Sequence, residues 1–395
     1  MKYEKEYAFL GIVGDVLNGK TVRSLPEGVT ADDIFAIGSK QDMAPITFCA
    51  LNSIKGLEKG TSWMKYQKRF LSDCSRSEMQ LGEYDKLIPY LCEQGVKVLP
   101  LKGCVIKKLY PAPSLRVMSD IDLLYEGVTP QELAELMDRE GYSTESLERV
   151  HHDVFYKKPY MNVELHRKLV AEDSSYKSVL QNMFEKAIRD EKIHNLYHMK
   201  PEDLYIHVIV HTAKHFEHSG IGIRPIGDIY VLNQTYKNSF DWNYIKDSLA
   251  SVGLAKFEEK LRTLAYAFFG EEKQEEEVSE LDLEFLFKGG TYGDISDPEW
   301  INYSVKIPEY KSKGEKSGLR FIFSRVFLPF DDMKERYAVL ERKPYLLPFF
   351  RVYRFYDIAK NHRSSIKGVI GASGQMNSPK YKYVGDVMDS FGLKR

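Results

Sequence analysis

At Gly95 the hydrophobic pattern of the chain changes period, and that change limits the fold more than any other feature. Up to Cys92 the apolar residues recur at helical spacing. Then Val96-Lys-Val-Leu-Pro-Leu101 forms a short, mostly apolar and β-branched run directly after a glycine, the signature of a strand, with Pro100 marking its end. A small helix is expected over Cys104–Leu109, stopped by Tyr110-Pro-Ala-Pro113. Met118-Ser-Asp-Ile-Asp-Leu-Leu-Tyr125 then alternates as a strand does. A helix over Pro130–Glu140 and two further strands, Asp153–Lys157 and Met161–His166, complete an α/β unit of about seventy-five residues.

Helices dominate on both sides of this unit. Before it they are expected over Tyr3–Leu17, Ala31–Ile37 behind a Thr30 cap, Pro45–Ser53, and Ser62–Cys92 with breaks. After Leu169 they are expected over Lys177–Arg189, Pro201–His218, Pro225–Tyr236, Trp242–Val252 and Leu254–Phe269. The organisation predicted is α+β: an N-terminal helical region (1–92), a small mixed-sheet core (93–170) and a mainly helical C-terminal region (171–395). A chain of 395 residues is long enough for several such packed units.

The chemistry-bearing residues cluster in the middle region. Residues two apart on a strand point to one face about 6.6 Å apart, so Asp120 and Asp122 present two carboxylates side by side. Such crowding of like charge is unfavourable without a cation. The flanking Ile121, Leu123 and Leu124 anchor the strand in a core, which argues against a role in solubility alone. A hard oxygen pair suits Mg²⁺ or Mn²⁺, with substrate phosphates completing the shell. Glu164, set between apolar residues on a later strand, can supply a third carboxylate. The alternative for the trio is a solvated strand face. Lys102-Gly103 follows a strand and opens a helix, a turn that suits a phosphate, although Lys-Gly is also an ordinary strand-to-helix connection. Together these are the parts that phosphoryl or nucleotidyl transfer requires.

The order Leu-Lys-Gly103, helix, Tyr-Pro, Leu-Arg116, Asp120-Ile-Asp-Leu-Leu, and later Val-Glu-Leu-His166 resembles the uncharacterised nucleotidyltransferase family of the polymerase-beta-like superfamily. The likeness is firm over about residues 95–170 and looser at Arg224-Pro-Ile-Gly-Asp228 and Tyr337–Arg354. It implies that Gly103 is the turn glycine, Asp120 and Asp122 the metal-binding pair, and Glu164 the third acid, ligating a second metal or acting as base. Two departures stand out: Cys104 replaces the serine that follows the turn glycine, and the interval from Gly103 to Asp120 is longer than in compact members. The implied reaction moves a nucleoside monophosphate from a nucleoside triphosphate to an acceptor hydroxyl. The rivals are an inactive nucleotide-binding regulatory or antitoxin-like module, and an enzyme that modifies nucleic-acid ends through the basic C-terminal region.

Several neighbours have two readings each. Arg116 suits a phosphate contact, a clamp on the aspartates, or a structural ion pair. Ser119 suits a hydrogen bond to an aspartate or a plain turn. His166 shares a strand face with Glu164 and can orient an acid or a leaving group. Histidines 207, 211, 215 and 218 lie near one helical stripe. The glutamate of a His-Glu-x-x-His zinc motif is missing, because the row reads His211-Thr-Ala-Lys-His215. His211 and His215 are therefore taken as candidates for contacting nucleotide or acceptor, with Arg224 and Asp228 as partners of that surface or as a structural salt bridge.

Charge separates the remaining function classes. Lys plus Arg total 56 against 57 acids, which argues against bulk polyanion binding and favours a small molecule or protein as the acceptor. The balance hides a split, since residues 301–395 hold 19 basic against 9 acidic residues. The acidic stretch Glu271–Glu284 and the polar stretch Lys311–Ser317 read as solvated faces or linkers, and Gly56–Ser62 and Gly368–Gly374 as loops without a P-loop lysine. Tyr345–Tyr356, with aromatics interleaved with Arg351 and Arg354, suits either a nucleic-acid surface or an aromatic segment packed on the core, and the second is expected. Four dispersed cysteines read as reduced and mostly buried, no apolar run reaches the roughly 18 residues of a spanning helix, and no convincing signal peptide is evident, so a cytoplasmic protein that does not engage membranes is expected.

Overall fold

Reciprocal caps fix several helix starts. At α2 (Ala31–Lys40) the Asp33 amide donates to the Thr30 hydroxyl, and the Thr30 amide donates to the Asp33 carboxylate. This helix packs with α1 (Glu4–Leu17) and α3 (Ala44–Ser53). The computed structural model describes residues 2–393 apart from 150–151, 173, 272–277, 294–327, 329, 331–332, 334–336, 338 and 362–378. The stretches 311–317 and 368–374 therefore lie outside the described residues. The breaks expected in the fourth helix do not occur: α4 (Trp63–Glu93) runs 31 residues with Pro89 inside it. Burial of Leu87, Ile88 and Leu91 against the sheet outweighs the cost of the proline.

The sheet has the order β1-β2-β5-β4-β3. Strand β1 (Lys97–Pro100) runs antiparallel to β2 (Ile121–Glu126), which runs parallel to β5 (Met161–His166). Strands β4 (His152–Lys157) and β3 (Ser143–Arg149) finish the sheet as an antiparallel pair. Strand β3 has no counterpart in the sequence reading. It is an irregular edge strand of largely polar residues with two register shifts, so its residues lack the alternation that reveals a half-buried strand. One sheet face carries Ile121, Leu123, Phe155, Val163 and Leu165 against α4 and against Leu133 and Met137 of α6 (Pro130–Arg139). The period-2 rule turns the intervening residues of β2 and β5 to the opposite face.

From Lys102 to β2 the chain runs through α5 (Lys102–Ile106), which contains Gly103, and two single-turn 3₁₀ segments. The helix expected over Lys177–Arg189 is instead two single turns, α7 (Lys177–Leu180) and α8 (Met183–Lys186). Between them Asn182 adopts φ 54°, a left-handed conformation that ends a helix. Ile188–Arg189 then pairs with Tyr197–His198 as a two-stranded ribbon.

Five longer helices follow: α9 (Pro201–Ser219), α10 (Ile223–Tyr236), α11 (Trp242–Ser251), α12 (Ala255–Phe269) and α13 (Glu280–Lys288). Helix α13 corrects, for Glu280–Glu284, the reading of the acidic stretch as a solvated face or linker. Asp282 is fully buried and paired with Lys260 at 2.7 Å, beside buried Leu283 and Leu286.

The chain separates into two units, Met1–Lys214 with Ile221–Thr291, and His215–Gly220 with Tyr292–Arg395. In the second unit the aromatic segment expected to pack on the core, carried by helix Leu347–Asn361, does so only in part: the Phe350 and Tyr337 rings lie 4.7 Å apart. Phe349, Val352, Tyr353 and Tyr356 are exposed, and so is Tyr345 just before it. All four cysteines are free thiols, two buried and two partly buried. Among the described residues no helix is long and apolar enough to cross a membrane.

Candidate active site

Register builds the site. Across the parallel β2–β5 pair Asp122 lies opposite Glu164, and Leu124 opposite His166. The two acids and the imidazole thus share the face that the hydrophobic core leaves free. Pro100 ends β1, the Leu101 amide donates to the Asp122 carbonyl at 3.0 Å, and the chain then turns into α5. That turn delivers Lys102, whose Nζ donates to Asp122 Oδ2 at 3.2 Å. On the other side His166 Nε2 lies 3.1 Å from Asp122 Oδ1 and 3.7 Å from Glu164 Oε2. Donor atoms of Asp122, Glu164 and His166 all fall within 4.8 Å of one another. Asp120 precedes β2 and is partly buried beside them.

The carboxyls divide by environment. Burial raises the Asp120 pKa, and the charge of Asp122 adds to it. Glu164 is raised for the same two reasons, with Asp120 contributing. For Asp122 burial pushes upward, but Lys102 and the hydrogen bond with His166 outweigh it and hold the carboxyl well below its ordinary range. Three carboxylates facing one lysine leave an excess of two negative charges when all are ionised. A divalent cation balances that excess, and the oxygen-rich donor set fits one. The fit thus rests on charge and donor chemistry together.

Helix α9 adds a residue that the sequence reading left among four histidines. His207, only 5% exposed, lies within electrostatic reach of Lys102, Asp122 and His166; burial first, then Lys102, lowers its pKa to about 3, so the ring is neutral. Two turns along, Lys214 is lowered by burial and by Lys102. The spacing of seven between His207 and Lys214, which places both on one helix face, is the signal that could have singled them out. His211 lies next to His207 with ring centroids 6.4 Å apart, while His215 packs on Tyr292 at 5.1 Å within the second unit.

The other candidates occupy a strut beside the site. Arg116 donates to both oxygens of Asp228, at 2.6 and 2.7 Å, and Tyr110 adds a hydrogen bond to Asp228 at 2.8 Å. The same guanidinium reaches the Gly103 carbonyl at 3.4 Å. Arg116 and Asp228 therefore tie the Gly103 turn to α10. A Cβ at Gly103 would meet Met118 Sδ at 3.0 Å, which explains the glycine by close packing. Cys104 is fully buried in the sheet core, its thiol 3.8 Å from Met118 Sδ, and burial raises it to about 12. Ser119 is exposed and its side chain hydrogen-bonds the Asp120 carboxyl, and Arg224 reaches Asp42 at 3.3 Å. The sequence reading missed Lys107, fully buried one turn beyond Gly103, with its Nζ donating to Ser77 Oγ at 2.9 Å.

A family model described as an uncharacterised nucleotidyltransferase matches residues 27–270, a span that contains the whole five-stranded sheet and helices α2 to α12. No curated protein and no solved structure matches the chain.

Proposed function

Because the chain belongs to the uncharacterised nucleotidyltransferase family, we propose that it transfers the nucleoside monophosphate of a nucleoside triphosphate to an acceptor hydroxyl and releases pyrophosphate. The observation that carries this reading is the in-register Asp122–Glu164 pair with Asp120 beside it and Lys102 as its cation. A divalent metal, Mg²⁺ or Mn²⁺, would be held by Asp122 and Glu164 with Asp120, and would supply charge neutralisation and Lewis-acid polarisation of the phosphates.

The chain's own groups do the rest. Lys102 fixes Asp122 through Oδ2 and carries the positive charge nearest the triphosphate path. The acceptor oxygen bonds to the α-phosphorus as the bond from that phosphorus to the bridging oxygen breaks, and the pair in the broken bond leaves with pyrophosphate. The hydroxyl proton passes to whichever of Asp120 and Glu164 is left uncovered by the metal. His207 and Lys214 face the same space from α9 and suit contacts with phosphate or acceptor. The balanced overall charge favours a small molecule or protein acceptor over nucleic acid.

One observation favours a second reading, a nucleotide-binding module without turnover: the thiol of Cys104 lies in the core and offers no hydroxyl at the phosphate turn. Pyrophosphate release separates the two. Incubating the chain with ATP, GTP, CTP or UTP and Mg²⁺ or Mn²⁺ over a panel of hydroxyl acceptors should release pyrophosphate, and Asp122→Asn should abolish release while leaving the circular dichroism unchanged. Triphosphate binding by calorimetry with no release would favour the module. Full activity in Asp122→Asn would reject the site.

A further inference from the structure

One ring nitrogen at the site converges on both carboxylates. His166 Nε2 is 3.1 Å from Asp122 Oδ1 and 3.7 Å from Glu164 Oε2, and it reaches them from the strand that also carries Glu164. Two ligands of a single ion at about 2.1 Å lie ~3.0 Å apart at right angles and ~3.4 Å apart at the tetrahedral angle. The first separation already matches, and the second needs to close by only a few tenths of an ångström. The second oxygen of Asp122 is engaged by Lys102, which leaves Oδ1 to face the imidazole.

The ring's surroundings hold it in place. His152, opposite His166 in the β4–β5 register, packs against it with centroids 5.2 Å apart. His207 borders the same space; it is more than nine-tenths buried, and its Nδ1 has no hydrogen-bond partner among the described residues. A buried polar atom in that condition marks a place for a water or a ligand.

We propose that His166 is an inner-sphere metal ligand through Nε2, alongside Asp122 and Glu164, and that this nitrogen makes the site prefer a transition-series divalent cation of the Mn²⁺ class over Mg²⁺. The inference rests on the metal site of the proposed function and goes beyond its all-carboxylate donor set. An imidazole nitrogen adds affinity for transition-series ions, least for Mn²⁺ and more for Fe²⁺ through Zn²⁺, whereas Mg²⁺ takes oxygen ligands and keeps its waters. Two carboxylates and an imidazole thus discriminate where three carboxylates would not.

Pulsed electron paramagnetic resonance of the full chain loaded with Mn²⁺ tests this. The account expects bound Mn²⁺ with a ¹⁴N modulation from a coordinated imidazole. His166→Asn should remove that modulation and weaken Mn²⁺ binding about tenfold or more. Mg²⁺, measured by competition for the same site, should lose much less. His207→Asn should keep the modulation, assigning it to His166. The wild-type spectrum alone can refute the inference, so the test stands even if a variant fails to fold. Bound Mn²⁺ without nitrogen modulation would overturn the inference and leave the carboxylate metal site standing. An equal loss of Mn²⁺ and Mg²⁺ affinity in His166→Asn would overturn the selectivity. Absence of any bound Mn²⁺, with or without a non-hydrolysable ATP analogue, would overturn this inference and the proposed function together.

Discussion

Removing the Asp228 carboxylate should damage the protein far more than its distance from the strand carboxylates suggests. Asp228→Ala leaves the Arg116 guanidinium, 6% exposed, without its two short charge-assisted hydrogen bonds and strands the Tyr110 hydroxyl as well. Breaking a buried pair by deleting one partner costs about 3–5 kcal/mol, because an uncompensated charge is left in a low-dielectric site. Against a total stability of about 5–15 kcal/mol this is a large loss, and at about 2 °C per kcal/mol it corresponds to a Tm drop of about 6–10 °C. Replacing both partners by apolar residues, Arg116→Met with Asp228→Leu, removes the stranded charge and should recover most of the loss. Urea unfolding followed by far-ultraviolet circular dichroism on the four proteins of the cycle measures both. The same strut holds the Gly103 carbonyl, so the rescued double variant should still bind triphosphate less well than the wild type. A loss below about 1 kcal/mol in Asp228→Ala, or a double variant as unstable as the single one, would refute the reasoning.

Three further outcomes are expected. Lys107 is fully buried, and burial lowers its pKa from 10.5 to about 8. The unfolded chain therefore binds the extra proton between those values, and this group's contribution makes stability rise with pH from about 8 to 10.5. That drop amounts to about 3 kcal/mol, and the lost hydrogen bond to Ser77 takes back about 1, so Lys107→Met should stabilise the fold by about 2 kcal/mol at pH 7 and flatten the alkaline gradient in urea titrations. Cys104→Ser should cost about 1–3 kcal/mol by placing a hydroxyl in the core beside Met118, and should leave triphosphate affinity by calorimetry no better than wild type. Because burial and mutual repulsion raise Asp120 and Glu164 in the metal-free site, protons compete with the cation for these carboxyls, so Mn²⁺ affinity measured by calorimetry should fall as the pH is lowered, and Glu164→Gln should weaken Mn²⁺ binding at every pH.

The parts of the fold written into local pattern were legible in the sequence. The β2 and β5 strands follow from alternation around Asp122 and Glu164, and the Thr30 start of α2 follows from its capping residues. What depended on pairing between distant segments was not legible. That Asp122 faces Glu164 and His166 is a consequence of the β2–β5 register, so the imidazole read as a second-rank neighbour stands among the closest groups to Asp122. Arg116 and Asp228 are 112 residues apart, and only packing of α10 against the Gly103 turn brings them into contact. The helical stripe put His211 and His215 ahead of His207, and only the orientation of α9 by its buried residues singles His207 out. Strand β3 lacked alternation because an edge is not required to have it. The outward turn of Phe349 and Tyr353 likewise depends on which face of their helix finds a partner, a property that composition does not carry.

The central claim is that Asp122 and Glu164 together hold a divalent metal against the α-phosphate of a nucleoside triphosphate. A crystal structure of the chain with a non-hydrolysable triphosphate analogue and Mn²⁺ tests it most directly, because Mn²⁺ is located by its anomalous signal independently of the nucleotide. The account predicts an anomalous peak bounded by Asp122 and Glu164, with the α-phosphate beside it and Lys102 facing the phosphate chain. A peak elsewhere in the molecule, or a nucleotide bound away from the Asp122–Glu164 face of the sheet, would contradict it.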